Sequence, residues 1–169
     1  MSLVLHKGYR PGCIGAITAL HAHFYSAEEG FGQVFESRVA RELASFSDRY
    51  SESSDGLWLA LIDGRVHGSI VIDGTSADDE GAHLRWFITS DQLRGTGCGR
   101  TLLSNALSFC DTKLFPSVYL NTFQGLDAAR HLYEAYGFQL VEQSMGTQWG
   151  FEVNEQRFVR RLAEQSNKA

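Results

Sequence analysis

Proline is scarce in this chain, at two residues in 169, and cysteine stops at three. With only Pro11 and Pro116, no polyproline or low-complexity tract can form. An odd set of thiols (Cys13, Cys98, Cys110) without C-x-x-C spacing excludes a disulfide framework and a zinc knuckle. No apolar run approaches the roughly 18 residues that span a bilayer, so no membrane association is expected. His6, Lys7 and Arg10 lie near the start with no apolar stretch behind them, so no secretory leader is expected and the cytoplasm is the expected location. Positive charge is in deficit, with 15 Lys and Arg against 20 Asp and Glu for a net −5. That balance argues against nucleic acid or an anionic membrane as a partner. Metal-ligand spacing is missing as well: His21 and His23 are two apart on a helical pattern and face different ways, so no metal is expected.

What remains is ordinary globular composition, 43 % hydrophobic and 21 % charged. We read residues 1–169 as a single domain with its core at about 3–162. Residues 3–9 read as a strand stopped by Pro11-Gly12. Ile14, Ile17, Leu20 and Phe24 recur at helical spacing toward a stop near Gly30, and Phe35, Val39, Leu43 and Phe46 mark a second helix. Residues 47–55 are polar and expected to form a loop. Residues 57–62 and 65–72 read as strands joined by Asp63-Gly64, a dipeptide suited to the positive φ angles of a tight hairpin. A further strand is expected at 83–89. Leu102, Leu103, Ala106, Leu107 and Cys110 then share one helical face, followed by a strand at 117–122. Leu126, Ala129, Leu132, Tyr133 and Tyr136 form another helical stripe, ended by Gly137. Strands at 138–145 and 156–162 close the chain. The fold class is α/β, one domain with a mixed sheet.

The most informative stretch is D-Q-L-R-G-T-G-C-G-R at 91–100, between a strand and a helix. Alternating glycines let successive backbone N–H groups turn into one concavity, and the helix that starts there adds its partial positive end. Arg94 and Arg100 bring fixed charge to the same place. This is the chemistry of a diphosphate site. The spacing is G-x-G-x-G rather than the dinucleotide G-x-G-x-x-G, and Arg100-Thr101 stands where a P-loop needs Lys followed by Ser or Thr. Cys98 reads as a small apolar plug under the helix start.

Q-L-R-G-T-G-C-G-R at 92–100 resembles the Q/R-x-x-G-x-G/A acetyl-CoA motif of the GNAT acetyltransferase superfamily. A-A-R-H-L-Y-E-A-Y-G-F at 128–138 resembles that family's second hallmark, and two motifs in order about 30 residues apart are more specific than either alone. The opening G-Y-R-P-G and the segment F-E-S-R-V-A-R-E-L are similar to acetyltransferase domains fused to MarR-type regulators. The resemblance implies a GNAT-like fold, with a mixed, mostly antiparallel sheet of about six or seven strands, about four helices and a splayed parallel strand pair. It also implies acetyl-CoA as co-substrate and a small-molecule primary amine as acceptor. An acyl-CoA sensor without turnover and a protein lysine or N-terminal acetyltransferase are the alternatives. A homodimer through edge pairing or a swapped final strand is compatible with it.

On the same resemblance, Leu93, Arg94, Gly95, Thr96, Gly97, Cys98, Gly99, Arg100 and Thr101 hold the diphosphate. Phe87, Ile88 and Thr89 pair with the pantetheine arm, Asn121 stands in part for the family asparagine, and Asn121 and Ala129 join the cofactor contacts. Tyr133 matches the tyrosine that protonates the leaving thiolate, or it is one more aromatic of its helical stripe. The strand at 83–89 carries no carboxylate where many relatives have a glutamate, and Leu126 replaces the family asparagine. Candidate bases therefore come from the first helix: His21, Tyr25, Glu28 and Glu29. Tyr25 is also a candidate wall of the acceptor pocket. Arg85 either selects a carboxylate-bearing acceptor or forms a salt bridge on the sheet. Trp149, with Glu152 and Gln156, either lines the acceptor pocket or packs.

Overall fold

Seven strands and four helices follow one another in the computed structural model, which describes residues 2–163. The expected domain limits at 1 and at 164–169 lie outside the described residues. In chain order they are β1 (Leu3–Lys7), α1 (Cys13–Glu29), α2 (Gln33–Asp48), β2 (Gly56–Ile62), β3 (Arg65–Asp73) and β4 (Ala82–Thr89). Then come α3 (Cys98–Thr112), β5 (Ser117–Phe123), α4 (Asp127–Ala135), β6 (Gln139–Gly146) and β7 (Val153–Arg161). The sheet runs β1-β2-β3-β4-β5-β7-β6, and every neighbouring pair is antiparallel except β4 and β5. The architecture is the mixed α/β sheet that the motif order implies.

Strand alternation builds two cores. On one face Leu57, Leu59 and Leu61 of β2 and Val71 of β3 pack with Cys13 and Ile17 of α1 and with Leu43 and Phe46 of α2. On the other, Trp58, Ala60 and Ile62 join Ile70, Ile72 and the apolar stripe of α3 from Leu102 to Cys110. Covered on both sides, β2 is buried along its whole length, which is why it reads as an unbroken apolar run. A third cluster of Phe31, Phe35, Val39 and Phe123 ties the α1–α2 corner to β5.

Three boundaries differ from the expected ones for identifiable reasons. β1 ends at Lys7, because Gly8 turns at φ 98° and its N–H donates to Leu57 at 2.8 Å. α2 runs on to Asp48, into the expected loop, and the Ser47 hydroxyl is accommodated by donating back to the Leu43 carbonyl at 2.8 Å. β7 begins at Val153 because Val153–Glu155 has partners on β6, a pairing that no local pattern announces. The Asp63-Gly64 turn forms as expected, with φ 49° and 79°.

Two irregularities open the sheet at its centre. β4 and β5 are paired only at Ala82 with Val118 and at His83 with Tyr119, and beyond that point they part. On its other side β4 carries a bulge: Ser69 faces Ile88 but Val71 faces Arg85, so Trp86 and Phe87 together oppose Ile70. Trp86 takes φ 45°, and Ser69 Oγ donates to its carbonyl at 2.6 Å. The bulge changes the alternation, so Trp86 packs with the α1–α2 core and Phe87 with the α3 core.

Candidate functional site

Where β4 and β5 part, a cleft of about 360 Å³ opens. It gathers sequence-singled residues from five elements. His21 and Tyr25 come from α1, Arg85 and Phe87 from β4, and Asn121 from β5. Tyr133 arrives from α4 and Trp149 from the β6–β7 connection. Glu28 and Glu29 do not line it. They occupy the last turn of α1, just before the left-handed Gly30, with Glu28 exposed and Glu29 half-buried near Tyr25. Glu152 is exposed on the far side of the same connection, whereas Gln156 is buried and borders a smaller hollow with Ala129 and Tyr133. Trp149 also packs on Phe123, with ring centroids 5.4 Å apart, so it is both wall and core.

At the end of β4 the chain makes one 3₁₀ turn (Asp91–Leu93) and enters the glycine segment. Gly95 and Gly97 adopt φ 74° and 76°, a region where side chains are costly, and open space lies where a Cβ would stand on either. Among the described residues, the amides of Gly95, Gly97, Gly99 and Arg100 have no intramolecular acceptor. The amide of Cys98 is met by Thr96 Oγ1 at 3.2 Å, and that hydroxyl donates to the Leu93 carbonyl at 2.6 Å. Unpaired amides at the start of a 15-residue helix form a concavity with positive potential. Arg100 is exposed beside it, while Arg94 is engaged with Asp91 at 2.9 Å. Gly99 abuts Phe87 and Thr89, so the turn and the divergent end of β4 are continuous. Ile88 is buried behind them. Cys98 is buried too, and burial pushes its thiol up, so this helix start does not yield a reactive thiolate.

Burial sets the protonation of the cleft. His21 is 6 % exposed, and its Nδ1 lies 2.8 Å from the Ile17 carbonyl. A carbonyl only accepts, so Nδ1 carries the proton and Nε2 the lone pair. Desolvation lowers this ring to about 4 despite that hydrogen bond. His83 is lowered to about 3, first by burial and then by the charge of Arg85, and it stacks on Tyr119 at 4.3 Å. Both imidazoles are neutral at pH 7. Tyr25 is pushed up to about 12 by burial and by the charge of Glu29. Tyr133 is raised further by burial, with a smaller contribution from Tyr25, so its hydroxyl keeps its proton.

A chain of charges that local sequence patterns do not reveal lies under the cleft. Arg85 Nη2 donates to Glu42 Oε2 at 2.6 Å, and Nη1 stands 3.8 Å from Asp73 Oδ2. Its guanidinium lies over the Trp86 ring, 4.1 Å from the centroid. Arg38 takes the other Glu42 oxygen at 3.0 Å and donates to the Gln148 carbonyl and, at 3.1 Å, to Gln148 Oε1. Arg49 grips Asp73 at 3.1 and 2.6 Å. Burial works to raise the Asp73 carboxyl, yet Arg49 and Thr75 bring it down to about 2. Arg38, Glu42, His83 and Gln148 are cleft residues that sequence reasoning missed. The i,i+4 spacing of Arg38 and Glu42 was a visible signal, but it pointed only to a surface helix pair. Leu126 stands at the N-cap of α4 without a side-chain cap, so the first turn of that helix is bare. No group of three His, Cys, Asp or Glu residues that could hold a metal occurs among the described residues.

The sequence model described as the acetyltransferase (GNAT) family matches residues 16–138. No curated protein sequence matches the chain. Solved structures do. A GNAT-family acetyltransferase from Staphylococcus aureus Mu50 superposes with TM-score 0.77 at 16 % identity, covering 96 % of this chain and 100 % of that one. The protein yncA of Salmonella typhimurium, solved with its cofactor acetyl-CoA, gives 0.72 at 15 %, over 100 % and 99 % of the two chains. The ribosomal-protein-S18-alanine N-acetyltransferase of Escherichia coli gives 0.69 at 13 %, over 99 % of each. At these identities the likeness speaks for the fold alone.

Proposed function

We propose, on the premise that this chain belongs to the acetyltransferase (GNAT) family, that it transfers the acetyl group of acetyl-CoA to a primary amine of a small molecule. The observation that carries this reading is the continuity of the bare-amide glycine turn with the opened β4–β5 cleft, through Phe87 and Thr89. The amides of Gly95, Gly97, Gly99 and Arg100 bind the diphosphate. The divergent end of β4 from Phe87 to Thr89 takes the pantetheine arm, with Asn121 and Ala129 across from it.

Acetyl-CoA supplies the thioester, and the amine attacks its carbonyl carbon directly. The C–N bond forms as the C–S bond breaks, and the leaving thiolate takes a proton from Tyr133. Burial keeps that hydroxyl neutral and protonated until the thiolate leaves, and the tyrosinate then recovers a proton from the water that took one from the amine. The attacking amine sheds its proton to water in the cleft. Of the four candidate bases, His21 and Tyr25 line the cleft while Glu28 and Glu29 stand outside; Tyr25 keeps its proton, so His21 supplies the basic nitrogen. A ring lowered to about 4 passes a proton on rather than keeping it, so His21 orients the water that carries the proton out. A backbone N–H of β4 near the bulge would stabilise the developing oxyanion. Three free, buried cysteines suit the reducing cytoplasm, and the outer edges of β1 and β6 are available for pairing in a homodimer.

A second reading, an acyl-CoA sensor without turnover, is favoured by the strand β4 without a carboxylate and by Leu126 at the start of α4. It fits the likeness of the opening segment to domains joined to MarR-type regulators. Thiol release from acetyl-CoA, measured with small primary amines and with peptides bearing free lysine or N-termini, separates the readings. Turnover with small amines is expected. Calorimetric binding of coenzyme A with no turnover on any amine favours the sensor, and turnover confined to peptides makes the protein a protein acetyltransferase.

A further inference from the structure

Arg85 is the cleft cation with hydrogen-bonding capacity to spare. Among the described residues it makes one hydrogen bond, from Nη2 to Glu42, although a guanidinium has five N–H donors. No buried side-chain nitrogen or oxygen among the described residues is without a partner. The uncommitted nitrogens of Arg85 therefore keep accessible surface, in line with a side chain 19 % exposed, and Arg85 is one of the residues that line the cleft. Arg38, one neighbour away, differs: its Nε and both terminal nitrogens are occupied by Glu42 and Gln148. Contact with the Trp86 ring, 4.1 Å from its centroid, and the hydrogen bond to Glu42 together hold the Arg85 guanidinium in place at the cleft wall.

Charge in the network favours an anion. Arg38, Arg49 and Arg85 face Glu42 and Asp73, and both His21 and His83 are neutral, so the chain of groups keeps one positive charge. A second ammonium on an acceptor would meet carboxylates already engaged by arginines. A carboxylate would meet donors that are desolvated, fixed and unfilled, the condition in which charged hydrogen bonds contribute most. Arg85 lies two residues before Phe87 on the strand that the thioester is proposed to follow, so an amine and a carboxylate on one small molecule can reach both at once. The cleft lining also includes the aromatic residues Tyr25, Phe35 and Trp149.

We infer that the acceptor is an amino acid or a close analogue, a primary amine carrying a carboxylate bound by Arg85 and an apolar side group against Tyr25, Phe35 and Trp149. This inference rests on the acetyltransferase reading above and deepens it. Matched pairs test it: phenylalanine against phenethylamine and tryptophan against tryptamine, with thiol release from acetyl-CoA as the readout. The wild-type protein is expected to prefer the carboxylated member by about 10- to 100-fold in kcat/KM, the range of one or two charged hydrogen bonds. In Arg85→Met that preference collapses toward unity, while calorimetric affinity for coenzyme A stays within about 2-fold. Arg85→Lys keeps a point charge without the fork and recovers part of the preference. If Arg85→Met does not fold, Arg85→Met/Glu42→Gln removes the stranded carboxylate, and the wild-type ratio decides by itself. Equal or better turnover of the decarboxylated amines by wild-type protein overturns the inference but leaves the acetyltransferase reading intact. Coenzyme binding with no turnover of any amine overturns both.

Discussion

The Ser69 hydroxyl lies 2.6 Å from the carbonyl oxygen of Trp86 and donates to it across the β3–β4 bulge. Ser69 is fully buried, and Trp86 sits at φ 45°, a conformation costly for a large side chain. One hydroxyl thus supports the kink that turns Arg85 and Trp86 toward the same helices. Ser69→Ala leaves the carbonyl without that donor, and we expect about 1–3 kcal/mol of lost stability in urea unfolding. A fall in turnover should accompany it. Unchanged stability and rate would show that the bulge stands without the hydroxyl.

Gly97 is the N-cap of α3, with φ 76° and open space where a Cβ would go. Gly97→Val costs about 1–2 kcal/mol through its left-handed backbone, and its Cβ meets no neighbour, so the protein is expected to fold. The new side chain fills the concavity instead. Calorimetry is expected to show coenzyme A affinity weakened by about 100-fold or more, equivalent to two lost charged hydrogen bonds. Full retention of affinity would remove the turn from the binding site.

Tyr133→Phe deletes one hydroxyl and keeps a ring that packs 5.7 Å from Phe138 and 6.4 Å from Phe158. Stability should therefore change little. A general acid contributes about 100-fold or more, so kcat is expected to fall by that order while the acetyl-CoA KM barely moves. An unaltered kcat would leave Tyr133 a packing residue only.

Acid should weaken the fold in two adjoining windows, one set by histidines and one by a carboxylate. Folding lowers His21 from 6.5 to about 4, so between those values the unfolded chain binds a proton that the folded ring refuses. Stability is then lost as pH falls through that window, at up to about 1.4 kcal/mol per pH unit for each such histidine, and His83 acts in the same sense. Asp73 acts lower: its contribution is complete above 3.8 and disappears as pH falls through about 2. Urea unfolding at pH 7, 6 and 5 should show the decline, with a shallower slope in His21→Phe. Identical slopes in the two proteins would assign the pH dependence elsewhere.

Much of the fold was legible because it is written locally. The 3.6-residue stripe of α3, the unbroken apolar run of β2 and the Asp63-Gly64 turn each express a backbone preference within a few residues. The glycine turn was legible for the same reason: residues that tolerate positive φ, placed between a strand and a helix, dictate a concavity of amides. Glu28 and Glu29 show the limit. Periodicity put them on α1, but only the length of α1 relative to the sheet left them outside the cleft.

What the chain order alone determined is the presence of an anion-cradling turn in an α/β sheet, since φ preference and hydrophobic period act over one or two turns of chain. Tertiary structure decided which charges meet. Arg85 finds Glu42 across 43 residues and Arg38 finds Gln148 across 110, through strand register and a bulge that side-chain period cannot reveal. The two readings of Arg85, acceptor contact or salt bridge, turned out to be compatible in space. A guanidinium has donors enough to hold one carboxylate and still line the cleft, and only its packed position places it at both.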